Sequence, residues 1–131
     1  MKILILEDSG ERTKWFSDWF VAEEVIITNN AKVAIALLHS VEFDMVFLDH
    51  DLGGQTFIDS DDENCGYQVT KALPSTINRS THVVIHSHNN AAAKRMVNSL
   101  SYSEEFNGRI DQVPFLVLIS TNQLDERPKL F

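Results

Sequence analysis

The fold is decided by the reading of FDMVFLDHDLGG, residues 43–54. Val46, Phe47 and Leu48 make a run that is apolar on both faces, as a strand covered from both sides requires. The chain then sets Asp49, His50 and Asp51 side by side before two glycines. Ionisable groups at the end of a buried strand lose hydration and need partners there, so other polar groups are expected to meet them.

Working outward, the neighbouring segments alternate. KILIL (2–6) is a short apolar run ending in Glu7, Asp8 and Ser9, and Ser9 is placed to cap a helix that carries Trp15, Phe16, Trp19 and Phe20 on one face. EVIITNN (24–30) is β-branched and is followed by AKVAIALLHSV (31–41), whose alanines and leucines recur at helical spacing. Beyond the third strand and a polar stretch, CGYQVTKAL (65–73) reads as a helix stopped by Pro74. THVVIHS (81–87) is a fourth strand, and NNAAAKRMVNSL (89–100) is its helix. GRIDQVPF supplies a fifth short strand ended by Pro114. A final helix is placed over FLVLIS (115–120), although its β-branched content also suits a strand.

Strands alternating with helices imply βαβ units, a parallel sheet and right-handed crossovers. In such open sheets the ligand site lies beyond the carboxyl ends of the strands. Glu7 and Asp8 leave the first strand at that edge, Asp49, His50 and Asp51 leave the third, and His86, Ser87 and His88 leave the fourth.

Composition bounds the rest. With 131 residues, 44% of them hydrophobic, the chain is expected to form one domain over residues 1–131 and to bury about two thirds of its unfolded surface. A net charge of −8 with 11 Lys and Arg disfavours tight, sequence-indifferent nucleic-acid binding, since each phosphate contact needs a cation, unless a bound metal reverses the local field. Cys65 is the single cysteine, which excludes an internal disulfide. No run approaches the roughly 20 apolar residues of a membrane helix, and the five-residue opening strand does not read as a signal peptide, so no membrane association and a cytoplasmic location are expected.

LILEDS (4–9), VFLDHDLGG (46–54) and Val-Pro-Phe at 113–115 fall where receiver domains of response regulators carry an acidic pair, a phosphoacceptor aspartate and Lys-Pro-Phe. The chain resembles that family over essentially its whole length. By position Glu7 and Asp8 match the acidic pair, Asp49 the phosphoacceptor, Gly66 the glycine opening the third helix and Ser87 the Ser/Thr ending the fourth strand. The resemblance implies an α/β, flavodoxin-like, doubly wound sheet of five parallel strands in the order 2-1-3-4-5, with a divalent cation near Asp8 and Asp49. The chain departs from the receiver pattern in three places. Val113 stands at the position of the receiver lysine; the loop after the third strand, GQTFIDSDDENC, is longer by roughly a dozen residues; and histidines stand at 50, 86 and 88. That combination resembles a receiver branch proposed to process cyclic phosphates.

The chemistry can also be read from the residues themselves. Carboxylates beside His-x-His suit a borderline metal better than Mg alone, since imidazole is a poor ligand for a hard cation. The candidate metal set is Glu7, Asp8, Asp49, Asp51 and His86. Asp8, Asp49 and His86 are read as direct ligands of Mn, Mg or Zn, and Glu7 and Asp51 as further ligands or supports. His50, His86 and His88 are the candidate catalytic histidines, with His50 or His88 as acid or base. The expected activity is metal-dependent hydrolysis of a phosphate ester, with a cyclic phosphate of a nucleotide or RNA end as the substrate in view. Two other readings stay open: a non-catalytic receiver-like module binding a protein or small ligand at the same edge, and an atypical receiver phosphorylated on Asp49. Bland roles suit other residues. Asp59, Asp61, Asp62 and Glu63 read as a solvated loop lacking the EF-hand spacing, His39 and His82 as structural or surface residues, and Trp15 and Trp19 as core.

Overall fold

The computed structural model describes residues 1–54 and 57–118. Strands β1 (Lys2–Leu6), β2 (Glu24–Thr28), β3 (Met45–Leu48), β4 (His82–Ile85) and β5 (Ile110–Gln112) alternate with helices α1 (Gly10–Trp19), α2 (Ala31–Ser40), α3 (Gly66–Ala72) and α4 (Asn90–Ser101). The strands form one sheet in the order β2-β1-β3-β4-β5, with every neighbouring pair parallel. No helix among the described residues is long and apolar enough to cross a membrane.

The helices start where the sequence supplies caps. Ser9 Oγ accepts the N–H of Arg12 at 3.4 Å, Asn30 Oδ1 that of Val33 at 3.1 Å, and Asn89 Oδ1 that of Ala92 at 3.2 Å. Each bond satisfies a first-turn donor that has no partner within its helix. Helix α3 ends at Ala72, just before Pro74 as expected, and a 3-10 turn, Leu73–Ser75, continues from it with Pro74 inside. Near the start of such a turn a missing N–H costs nothing. Of the helix expected over 115–120, residues 115–118 are helical, and residues 119 and 120 lie outside the described residues.

Strand alternation divides the core in two. Leu4, Leu6, Val46, Leu48, Val83 and Ile85 face α2, α3 and α4 and pack with Leu38, Val69, Met96 and Leu100. Ile3, Ile5, Met45, Phe47 and Val84 face the other way, against Phe16 and Trp19 of α1 and Phe115 and Leu118 of the final helical turn. Both faces are therefore covered, which is why the strands carry no polar alternation.

The same alternation carries past the strand ends. The ladder runs one residue beyond each element: Glu7 N–H bonds Thr28 O at 3.0 Å, Asp49 N–H bonds Leu6 O at 3.1 Å, His86 N–H bonds Leu48 O at 3.0 Å, and Val113 N–H bonds Ile85 O at 2.9 Å. Ile5, Phe47 and Val84 are registered side by side on the α1 face, and Glu7, Asp49 and His86 each follow by two residues. Period two therefore sets all three on the α1 face, in one row across the carboxyl edge.

Candidate active site

Three of the row's members form a compact buried group. Glu7, Asp49 and His86 each offer a ligand atom, and these atoms lie within 4.8 Å of one another. His86 is fully buried between the rings of Phe16 and Phe47, with centroids 5.2 and 6.5 Å away. Its Nε2 donates to Glu7 Oε1 at 3.0 Å, and its Nδ1 has no hydrogen-bond partner among the described residues. The other carboxylate oxygen of Glu7 accepts the N–H groups of Asp8 and Ser9 at 3.0 and 3.1 Å. Burial alone would raise the Glu7 pKa, but the hydrogen bond and charge of His86, the Ser9 N–H and the Arg12 guanidinium outweigh it and lower the group to about 2. Asp49 goes the opposite way. Burial, reinforced by the Glu7 carboxylate, lifts it to about 6 against the opposing pull of His86, the His50 N–H and Arg12.

Above this row opens a cleft of about 250 Å³, lined by Asp8, Ser9, Arg12, Asp49, Asp51, Gly54, Ser87 and His88. Three strand ends thus meet, as expected, but they sort their side chains. Asp8 is half-buried and accepts the Gly54 N–H at 2.6 Å. His88 is exposed at the rim, and its pKa is lowered by partial burial and by the Arg12 and His86 charges, against the contrary pull of Glu7. His86, two residues earlier, lies beneath the cleft rather than in its lining. The ladder extends to His86 through its N–H bond to Leu48 O, but among the described residues no such bond carries it on to His88, so the His-x-His pair does not act from one face.

His50 is also withdrawn from the lining. One residue past Asp49, it falls on the opposite face, where it is fully buried. Its Nδ1 donates to Asp51 Oδ1 at 2.7 Å, and its Nε2 lies 3.1 Å from Ser60 Oγ. Burial would lower the His50 pKa, but contacts with Cys65 and Asp51 overcome it and raise the group. Asp51 in turn accepts the N–H groups of Phe57 at 2.7 Å and Ile58 at 3.3 Å, and the Asn89 side chain at 3.4 Å. His50 and Asp51 therefore anchor the enlarged loop. Arg95 Nε donates to Ser60 Oγ at 3.2 Å and the Ala31 N–H to Asn64 Oδ1 at 2.8 Å, which fasten the loop to α4 and α2. Asp59, Asp61 and Asp62 are exposed, and two of them close turns of the loop.

The residue missed in the sequence is Arg12. Its Nη1 stands 3.6 Å from both Glu7 Oε1 and Asp49 Oδ2, and its guanidinium carbon lies over the Phe115 ring, 5.0 Å from the centroid. Val113, at the position of the receiver lysine, packs against the apolar cluster under α1. The signal was available: with Ser9 as the cap, Arg12 is the third residue of a helix that starts at the acidic edge.

A parallel sheet of order 2-1-3-4-5 with an acidic row at its carboxyl edge is the fold of a receiver domain. Solved structures agree in architecture. A chemotaxis protein from Vibrio cholerae is 16% identical, with a TM-score of 0.65 over 94% of this chain and 96% of that one. A response regulator receiver domain from Methylobacillus flagellatus is 16% identical, with a TM-score of 0.61 and 95% of each chain covered. The receiver domain of a sensor histidine kinase from Pseudomonas aeruginosa, solved with a magnesium ion coordinated in its active-site cleft, is 15% identical, with a TM-score of 0.62 over 86% of this chain and 83% of that one. The chain belongs to the cyclic-phosphate processing receiver domain family, whose model matches residues 2–102. No curated protein matches it.

Proposed function

We propose that the protein is a metal-dependent phosphoesterase that opens a cyclic phosphate, and that the cleft above Asp49 is its active site. The observation that carries this reading is the lining of the cleft. Asp8, Asp49, Ser87 and an exposed His88 come together in it from three strand ends, a set suited to chemistry on an anion. Family membership supports the substrate class.

The donor set fits a divalent ion. Asp8 and Asp49 present carboxylate oxygens to the cleft, as Mg or Mn prefers. Glu7 shares its oxygens with His86 and two backbone N–H groups and lies beneath the cleft, and Asp51 holds the loop, so both are taken as further ligands or supports. Asp8 and Asp49 are taken as the ion's direct ligands because both line the cleft, with His86 buried beneath them against Glu7 as a further ligand or support. An ion held there supplies charge for the phosphoryl oxygens and lowers the pKa of a bound water. His88, with its pKa lowered, is neutral at pH 7 and fit to take a proton from the attacking water. The first turn of α4, capped by Asn89 just after His88, directs N–H groups towards negative charge.

The test is turnover of 2′,3′-cyclic and linear phosphodiesters by folded, Mn- or Mg-loaded protein, with chelator as control. His88→Ala is expected to lower kcat by about 10²-fold with the melting temperature unchanged. His86→Ala should act through stability, since it strands the buried Glu7 carboxylate. Absence of turnover on every phosphodiester with either metal would replace this reading with the binding module.

A further inference from the structure

The cation expected at the receiver lysine position is missing from β5 and is supplied from α1. We propose that Arg12 is the phosphoryl-binding residue of the cleft. This inference deepens the phosphoesterase reading and rests on it for the identity of the ligand. Val113 extends the ladder beside His86, through its N–H bond to Ile85 O, and an apolar side chain there contributes no charge. Arg12 approaches the same row from the facing helix and lines the cleft.

Its contacts hold it in place without using it up. At 3.6 Å from Glu7 and from Asp49 it is attracted to both carboxylates, yet among the described residues no acceptor comes within hydrogen-bonding distance of the guanidinium. The five N–H donors of an arginine are thus left for another acceptor. The Phe115 ring beneath it restricts its plane, and its side chain keeps 22% exposure, so it is reachable from solvent. A planar fork of donors fixed beside an acidic cleft matches two oxygens of a phosphoryl group.

The experiment is calorimetric titration of Mn-loaded protein with inorganic phosphate, comparing wild type with Arg12→Gln, Arg12→Lys and Arg79→Gln, the last removing an equal charge from an exposed site at 79. Arg12→Gln is expected to weaken phosphate about tenfold or more, as loss of charged hydrogen bonds does. Arg12→Lys should recover part of the affinity, and Arg79→Gln should stay within about twofold, as a distant screened charge does. Mn affinity of Arg12→Gln should hold or rise, because a cation beside Asp49 is gone. Phosphate affinity unchanged in Arg12→Gln, no phosphate binding by wild type, or loss of Mn binding together with Arg12 would each overturn the proposal. Arg12-dependent phosphate binding without turnover of any phosphodiester would leave Arg12 in its role and remove the hydrolase. Turnover with kcat/KM unchanged in Arg12→Gln would do the reverse.

Discussion

Asp49 shows how the site conflicts with stability at a single residue. Its side chain is nearly inaccessible, and its pKa is raised from 3.8 to about 6. A carboxyl group with a raised folded pKa favours folding only while protonated, so ionising it costs stability as pH climbs from about 4 through about 6. Asp49→Asn removes that cost. In chelator the variant should match wild type near pH 4, gain progressively up to pH 6, and be more stable by about 3 kcal/mol at pH 7, from roughly 1.4 kcal/mol per pKa unit. Urea melts at a series of pH values read this directly. A variant less stable than wild type at pH 7 would mean that Asp49 is fully compensated by Arg12 and His86.

At the scale of elements, α3 decides whether Asp49 is held in place. A Cβ on Gly66 would sit 1.9 Å from Asp49 O and 2.7 Å from Met96 Cε, and the Gly66 N–H bonds His50 O at 2.9 Å. Because backbone cannot yield as a side-chain tip can, Gly66→Ala must push α3 from the edge of β3. A loss of about 3 kcal/mol is expected, in the range of severe overpacking, with a matching fall in melting temperature. An unchanged melting temperature would show that the helix has room to move. The elements themselves were legible because apolar runs and Ser, Asn and Pro punctuation mark them locally: β1 is the KILIL run residue for residue, Ser9 caps α1 as expected, and α2 and α4 begin at Ala31 and Asn90, within a residue of the segments read as helices. The parity of the edge was also in the sequence. Glu7, Asp49 and His86 follow Ile5, Phe47 and Val84 by two, which places them together and His50 on the far side. What local pattern does not carry is the position of His88, two residues into a loop, or the long-range anchoring of the inserted loop by Ser60 and Asn64. Arg12 went unread because the receiver pattern directs attention to position 113.

On the scale of the whole molecule, four carboxylates, Glu7, Asp8, Asp49 and Asp51, gather at one edge of a chain with net charge −8, and among the described residues Arg12 is the one Lys or Arg side chain lining the cleft. The metal-free protein therefore concentrates repulsion at this edge, and a divalent ion bound there, as proposed above, would act as a folding ligand. At a hundredfold excess over its dissociation constant it should add about 2.7 kcal/mol, raising the melting temperature by roughly 10 °C for a domain of this size. Asp49→Asn inverts the order. It should melt above wild type in chelator, where the buried charge is a cost, and below wild type in saturating Mn, where that charge has become a ligand. Differential scanning calorimetry of both proteins with and without Mn tests this crossing. An equal metal-induced shift in the two would place the ion away from Asp49, and no shift in either would take the ion out of the site. The crossing distinguishes a ligand from a structural carboxylate, because substituting a purely structural group changes stability in the same direction whether or not the metal is present.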